Sequence, residues 1–350
     1  MEKRDERLAV VAGGAGFIGS HLVDHLIGDG MRVICIDNFQ TGRFDNIRHL
    51  EHEPRFDLID ADVTDPLSGK LTRSGSTPDF VFNLACAASP PHYQADPEHT
   101  LMTSVLGTRN LLHLCETAGA RFLLASTSEI YGDPEEHPQR ENYWGHVNPT
   151  GPRACYDEGK RAAETLAFDF LRARRADVRV ARIFNTFGPR MRADDGRVVS
   201  NVITQALAGD DITIYGSGDQ TRSFCYVDDL VRGLMALMTY KGTYRGAINL
   251  GNPHEMKVRE LAQRVVEMTG TRSLITFRPL PVDDPRRRRP DIALAKKVLG
   301  WEPSVSLDVG LEKTIEHFMA VAKAAVRFPL MRPSSRRRRS QSAERDVAAP

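Results

Sequence analysis

Long apolar runs are missing from the sequence, and so are paired cysteines and any sizeable net charge. No stretch approaches the roughly 18 apolar residues that a bilayer span needs. The charged opening, Met1 to Arg7, leads into a strand-like run and does not read as a secretory leader. The chain is therefore expected to be cytoplasmic, with no membrane partner. The five cysteines (Cys35, Cys86, Cys115, Cys155 and Cys225) are odd in number, widely spaced, and include no C-x-x-C pair. That argues against a disulfide framework and against a zinc site, so no metal is expected. A net charge of +1 over 350 residues gives no global pull toward nucleic acid. Four consecutive arginines within Ser334–Ser342 read as part of a solvated, disordered tail starting near residue 329, in preference to an RNA contact.

What is present is an ordinary soluble composition, 41% apolar and 27% charged, in a chain long enough to bury a full core. Leu8 to Ala12 is an apolar run ending in glycines, as a buried strand would be. Gly13, Gly16 and Gly19 follow, opening an amphipathic helix. Glycines at this spacing permit a tight turn, close approach to a pyrophosphate, and close helix–strand packing. A second strand, Met31 to Ile36, ends at Asp37, 18 residues past Gly19. A carboxylate there meets the adenosine ribose hydroxyls and repels a 2′-phosphate, which favours NAD over NADP. Arg43 is the one nearby feature that softens this preference.

Strand-like runs recur at 56–60, 79–84, 121–125 and 178–184, alternating with helical stretches at about 100–117 and 154–174. Such alternation predicts an α/β fold, a doubly wound parallel sheet of the Rossmann type, with ligands at the carboxyl ends of the strands. Asp62, Ala85 to Tyr93, Ser126 to Glu129, and Asn185 all fall just after strands. The NAD-binding domain is expected over 1–186 and a smaller C-terminal substrate-binding domain over 187–328. Residues 225–251 are a candidate return to the main sheet, and 329–350 are the tail. On a helix, Tyr156 and Lys160 share one face about 6 Å apart. An ammonium there would favour the phenolate and let the tyrosine act as a base.

Gly13-x-x-Gly16-x-x-Gly19 combined with Tyr156-x-x-x-Lys160 resembles the extended short-chain dehydrogenase/reductase family, whose members work on nucleotide sugars. The likeness runs from about residue 8 to residue 320. Ala88 to Tyr93, Ser126 to Pro134, Tyr143 to His146, Gly151 to Lys160, Arg182 to Thr186, Asp195 to Asn201 and Gln220 to Arg222 resemble the members that decarboxylate UDP-glucuronate. The resemblance implies a recycled NAD, UDP-glucuronate as substrate, UDP-xylose and carbon dioxide as products, and a homodimer formed through the helices at 100–117 and 154–174.

Roles carried over from this resemblance fall on specific residues. Tyr156 with Lys160 takes the proton of the sugar 4-hydroxyl, and Thr127 hydrogen-bonds that hydroxyl. The related 4,6-dehydratases carry an Asp-Glu pair after the threonine. Here Ser128 and Glu129 follow Thr127; serine is a poor acid, and decarboxylation expels no hydroxide. Arg288 is implied beside the glucuronate carboxylate, with the run Arg286 to Arg289 leaving the register open by one residue. Arg222, and less strongly Arg197, are implied for the pyrophosphate. Asn185 is implied for phosphate or sugar, Tyr215 for uridine, and Pro91, Tyr93 and Ser128 for further substrate contact. On the cofactor side the implied residues are Phe17, Ile18, Asn38, Gly42, Asp62, Val63, Leu84 and Thr103. Cys86-Ala87 and Met102 depart from the usual family residues. The rival readings are a 4-epimerase or 4,6-dehydratase of the same family, and a non-catalytic NAD(H) sensor, which would need no base.

Overall fold

The structure, a computed structural model, describes residues 6–66, 77–280, 285 and 287–327. The arginine-rich tail and Arg286 lie outside the described residues.

Leu8–Ala12 (β1) is apolar at every position because both of its faces are covered. Side chains alternate across a strand. Ala9 and Val11 join Leu22, Val23 and Leu26 of the helix Phe17–Gly28 in one core, while Leu8, Val10 and Ala12 join Leu111, Leu112, Ala163 and Ala167 in another. The sheet continues with Arg32–Asp37 (β2), Phe56–Asp60 (β3, the half-exposed edge), Phe80–Asn83 (β4), Arg121–Thr127 (β5) and Asp177–Ile183 (β6). With the strand Ala247–Leu250 they form one seven-stranded sheet, in the order 247–250, β6, β5, β4, β1, β2, β3. All six pairings are parallel. Helices cover both faces, which is the doubly wound arrangement.

The order of strands creates the site. After β3 the chain crosses to the other side of β1 to form β4, leaving a crevice beyond the carboxyl ends of β1 and β4. The helix expected at about 100–117 starts earlier, at Pro97, where the Asp96 carboxylate accepts from the His99 amide at 3.1 Å. It runs to Ala118 through a widened π-type turn at Thr103–Gly107, and Thr103 lines the cavity at that turn. The helix Ala154–Arg172 packs beside it.

From residue 186 onward the chain divides between the main layers and the wall over the crevice. The helix Val227–Thr239 packs on the helix Phe17–Gly28, and Ala247–Leu250 pairs with β6. The rest forms small sheets, among them Thr221–Ser223 between Glu255–Lys257 (antiparallel) and Arg287–Arg288 (parallel). That pairing aligns Arg288 with Arg222.

Asp229 ties the C-terminal segment down. It is fully buried, and its carboxylate accepts from the amides of Ser304 (3.0 Å) and Val305 (2.9 Å) and from the Ser304 hydroxyl (3.1 Å). Removing a buried charge that satisfies several donors costs about 3–5 kcal/mol. Asp229→Ala should therefore lower the urea-unfolding free energy by at least about 3 kcal/mol, whereas a loss below about 1 kcal/mol would mean the clamp is not felt.

Candidate active site

A cavity of about 570 Å³ runs from the glycine turn after β1 to the strand Arg287–Arg288. Gly13 has φ +78°, and a Cβ there would lie 2.8 Å from the Ala85 nitrogen in the turn after β4. A Cβ on Gly19 would sit 2.0 Å from the Gly13 carbonyl oxygen. Both positions require glycine for backbone to meet backbone. The first i→i−4 bond of the helix runs from the Ser20 amide to the Gly16 carbonyl (3.0 Å), so the Phe17 and Ile18 amides lie ahead of it at the cavity wall. No side chain caps this helix start and no acidic residue stands in its first turn, leaving its positive end for a phosphate.

At the end of β2 the Asp37 carboxylate accepts from the amides of Ala15 and Phe39, both at 2.9 Å. Burial pushes its pKa up, opposed by those amide bonds. The Asp62 carboxylate accepts from the Thr64 amide (2.8 Å) and hydroxyl (2.7 Å), from Asn38 Nδ2 (2.7 Å) and from His99 Nε2 (2.8 Å). Burial pushes this group upward, but those bonds prevail and hold it at about 2. Asn38, Gly42, Val63, Leu84 and Thr103 line the same end. The glycine cradle, the uncapped helix start and the fixed carboxylates fit a dinucleotide. Arg43 is the exception among the expected residues. Its amide bonds the Ala15 carbonyl, its side chain turns to Asp45 at 3.7 Å, and it does not line the cavity.

At the other end, Thr127 closes β5 beside Tyr156, and its hydroxyl accepts from the Glu129 amide at 3.2 Å. The helix Ala154–Arg172 carries Tyr156 and Lys160. Lys160 Nζ lies 5.9 Å from the Tyr156 ring centre and donates to the Ala125 carbonyl at 3.0 Å. The expected lowering of the phenol by this ammonium does not hold for the side chains alone. Burial raises the Tyr156 pKa and lowers that of Lys160, because each charged form would lose its water. Tyr93 stacks on Tyr156, with ring centres 5.1 Å apart and planes within 4°.

Glu129 sits between cations. It accepts from Arg153 Nη2 (2.8 Å) and Arg288 Nη2 (3.0 Å), and Arg288 Nη1 donates to the Ser128 carbonyl at 2.5 Å. Burial alone would raise Glu129, yet Arg288, Arg153 and Arg222 hold it well below the usual carboxylate range. Arg288 is 1% exposed, Arg287 is exposed, and the amide of Arg289 bonds Gln139 Oε1. Among the described residues of the arginine run, Arg288 is the one that lines the cavity. Arg222 lies beside it, with Nη1 donating to the Thr221 carbonyl at 2.9 Å. Arg197 pairs with Asp195, and Pro91, Ser128, Asn185 and Tyr215 complete the wall.

Two residues escaped the sequence reading. Arg153 stands one helical turn before Tyr156, a spacing that could have flagged it. Asp157 is 6% exposed, and its Oδ1 has no hydrogen-bond partner among the described residues. Burial first, and then the Glu129 charge, push Asp157 up to about 8 against the pull of Arg153 and Arg288. All five cysteines are free; Cys86 lines the cavity and Cys155 adjoins Tyr156. Among the described residues no helix is long and apolar enough to cross a membrane.

Comparison with known proteins agrees with this geometry. The family described as GDP-mannose 4,6 dehydratase matches residues 10–314. UDP-glucuronic acid decarboxylase 1 of Danio rerio is 53% identical over 318 residues, covering 91% of this chain and 74% of its own length. The chain belongs to the extended short-chain dehydrogenase/reductase family, on its UDP-glucuronic acid decarboxylase branch. UDP-glucuronic acid decarboxylase 6 of Arabidopsis thaliana is 53% identical over 310 residues, 88% of each chain. Among solved structures, the UDP-glucuronic acid 4-epimerase of Bacillus cereus, in complex with UDP-glucuronic acid and NAD, is 28% identical with a TM-score of 0.80. It matches over 90% of this chain and 99% of its own.

Gly19→Ala tests the cradle. With a backbone oxygen 2.0 Å from the new Cβ, the turn must shift. Stability should fall by about 2 kcal/mol and NAD affinity by at least about tenfold. Unchanged NAD affinity in calorimetry would show that the turn does not hold the cofactor.

Proposed function

We infer that the chain is an NAD-dependent carboxy-lyase that converts UDP-glucuronate to UDP-xylose and carbon dioxide. The observation that carries this reading is the ionised Glu129, held between two guanidiniums beside Thr127 and Tyr156, with serine and no acid at residue 128. A dehydratase must protonate a departing hydroxide, and neither Ser128 nor an ionised Glu129 supplies that proton. A 4-epimerase acting on a neutral sugar has no use for the buried cation of Arg288.

Bound NAD supplies the hydride acceptor and donor at sugar C4, together with a positive ring charge near Tyr156. Tyr156 takes the proton of the 4-hydroxyl, and Thr127 fixes that hydroxyl by hydrogen bonding. Lys160, anchored on the Ala125 carbonyl, stabilises the phenolate that forms. A ketone at C4 makes the C6 carboxylate part of a β-keto acid. Loss of carbon dioxide leaves a carbanion at C5 that spreads into the carbonyl as an enolate. Arg288 holds the carboxylate before it leaves, since a guanidinium suits that planar anion. Glu129 acts as an acceptor that orients the proton delivered to C5. Arg222 and Arg197 take the diphosphate, Tyr215 the uridine, and Asn185, Tyr93 and Pro91 the sugar.

The homodimer is a proposal of the same kind. Leu106, 37% exposed, lies within the helical run that would pair, and sedimentation at twice the 39.0 kDa chain mass tests it.

Incubation with UDP-glucuronate and no added reductant should release carbon dioxide and UDP-xylose in equal amounts. Tyr156→Phe should reduce turnover by at least about 100-fold while NAD still binds. Unchanged turnover in that variant would remove Tyr156 as the base.

A further inference from the structure

Between the strand Thr186–Phe187 and the helix Val198–Ala208 the chain crosses the cavity. Arg190, Met191, Arg192, Asp195, Gly196 and Arg197 of this connection line it. The far end of the connection rests on the short helix Pro90–Ala95, where a Cβ on Gly196 would lie 2.5 Å from Pro91 Cγ. Its near end is tied to the helix Phe17–Gly28. His21 of that helix places Nε2 3.0 Å from the Pro189 carbonyl oxygen. A carbonyl only accepts, so Nε2 carries the hydrogen. One turn further along, Asp24 pairs with Arg190 Nη2 at 2.7 Å. Arg192 Nη1 reaches the Thr41 carbonyl at 3.5 Å.

His21 does not line the cavity, and the reaction as described does not use it. Its ring stands edge-on to Phe17 with centres 5.9 Å apart, and its Nδ1 lies 3.8 Å from Asp228 of the helix Val227–Thr239. Burial pushes its pKa down; the Pro189 bond opposes this, Arg190 adds to the fall, and Asp228 and Asp24 resist it. A buried imidazole with one hydrogen, aimed at one carbonyl, is a fixed donor.

The tie matters because the turn it holds is strained. Arg190 has φ +68°, a left-handed backbone that a non-glycine residue keeps only where its surroundings impose it. With the Pro189 carbonyl released, the turn relaxes and carries the lining residues after it. We propose that His21 is a positioning residue for the substrate: by bonding the Pro189 carbonyl it fastens the roof of the cavity to the helix whose start faces the cofactor. Tyr156, Lys160 and Thr127 stand on other elements, the helix Ala154–Arg172 and β5. Loosening the roof therefore weakens substrate binding more than it slows the chemistry.

The inference rests on the reading that the cavity holds NAD beside a UDP-sugar, and release of carbon dioxide from UDP-glucuronate by the wild type tests that reading by itself. The test of His21 compares His21→Ala, which removes the donor, with His21→Gln, whose amide nitrogen replaces Nε2. With NAD saturating, the affinity for UDP is measured by calorimetry, and turnover is measured at saturating UDP-glucuronate. In His21→Ala the UDP Kd should rise about five- to tenfold, the size of one lost hydrogen bond, while kcat changes less than about twofold. His21→Gln should bind UDP within about twofold of the wild type. An unchanged Kd in His21→Ala overturns the proposal, and so does an equal loss in His21→Gln, which would leave the ring a packing role alone. If His21→Ala fails to fold, Asp24→Ala decides in its place. It cuts the neighbouring tie to the same turn, so the UDP Kd should again rise, and an unchanged Kd overturns the proposal.

Discussion

The joint on which the site depends is the bond between Glu129 and its two arginines. Glu129 belongs to the turn that leaves β5, Arg153 to the turn that enters the helix of Tyr156, and Arg288 to a two-residue strand in the wall over the crevice. One carboxylate thus fastens three separate stretches of chain around the cavity. Charged groups are costly to bury, and they stay buried only when paired and hydrogen-bonded. Here the pairing is exchanged across elements, so the catalytic helix and the substrate wall cannot move apart without exposing an unpaired charge.

The same joint explains the electrostatic character of the pocket. Arg288, Arg153 and Arg222 act on Glu129, while at the opposite end an uncapped helix start faces the cavity. The helix start favours an anion, as a nucleotide cofactor requires. Between the two ends lies a mostly apolar patch formed by Ala87, Tyr93 and Tyr156, in which burial favours the protonated phenol. On the proposed reading the chain positions its base and leaves the activating charge to the cofactor.

Much of this was legible in the sequence because it depends on local pattern. The buried strands, the glycines at 13, 16 and 19, and the Tyr156–Lys160 spacing follow from periodicity and backbone geometry, and the sheet and crevice follow from them. What was not legible depends on tertiary burial and pairing. Arg43 looks adjacent to the ribose site in sequence, yet the bond from its amide to Ala15 turns the side chain toward Asp45. The arginine run near residue 288 has no register until it pairs with Thr221–Ser223. Arg153 and Asp157 read as ordinary helix-start charges until the fold sets them around Glu129. The effect of Lys160 on Tyr156 was judged from proximity alone, and desolvation outweighs it.

The central claim is that one closed site removes a hydride from C4 of the sugar and returns it to the same carbon after carbon dioxide has left. UDP-glucuronate carrying deuterium at C4 tests this directly. Mass spectrometry of the UDP-xylose should find the deuterium retained at C4 even with excess unlabelled NADH in solution. Product in which that label has been replaced by hydrogen would contradict the account.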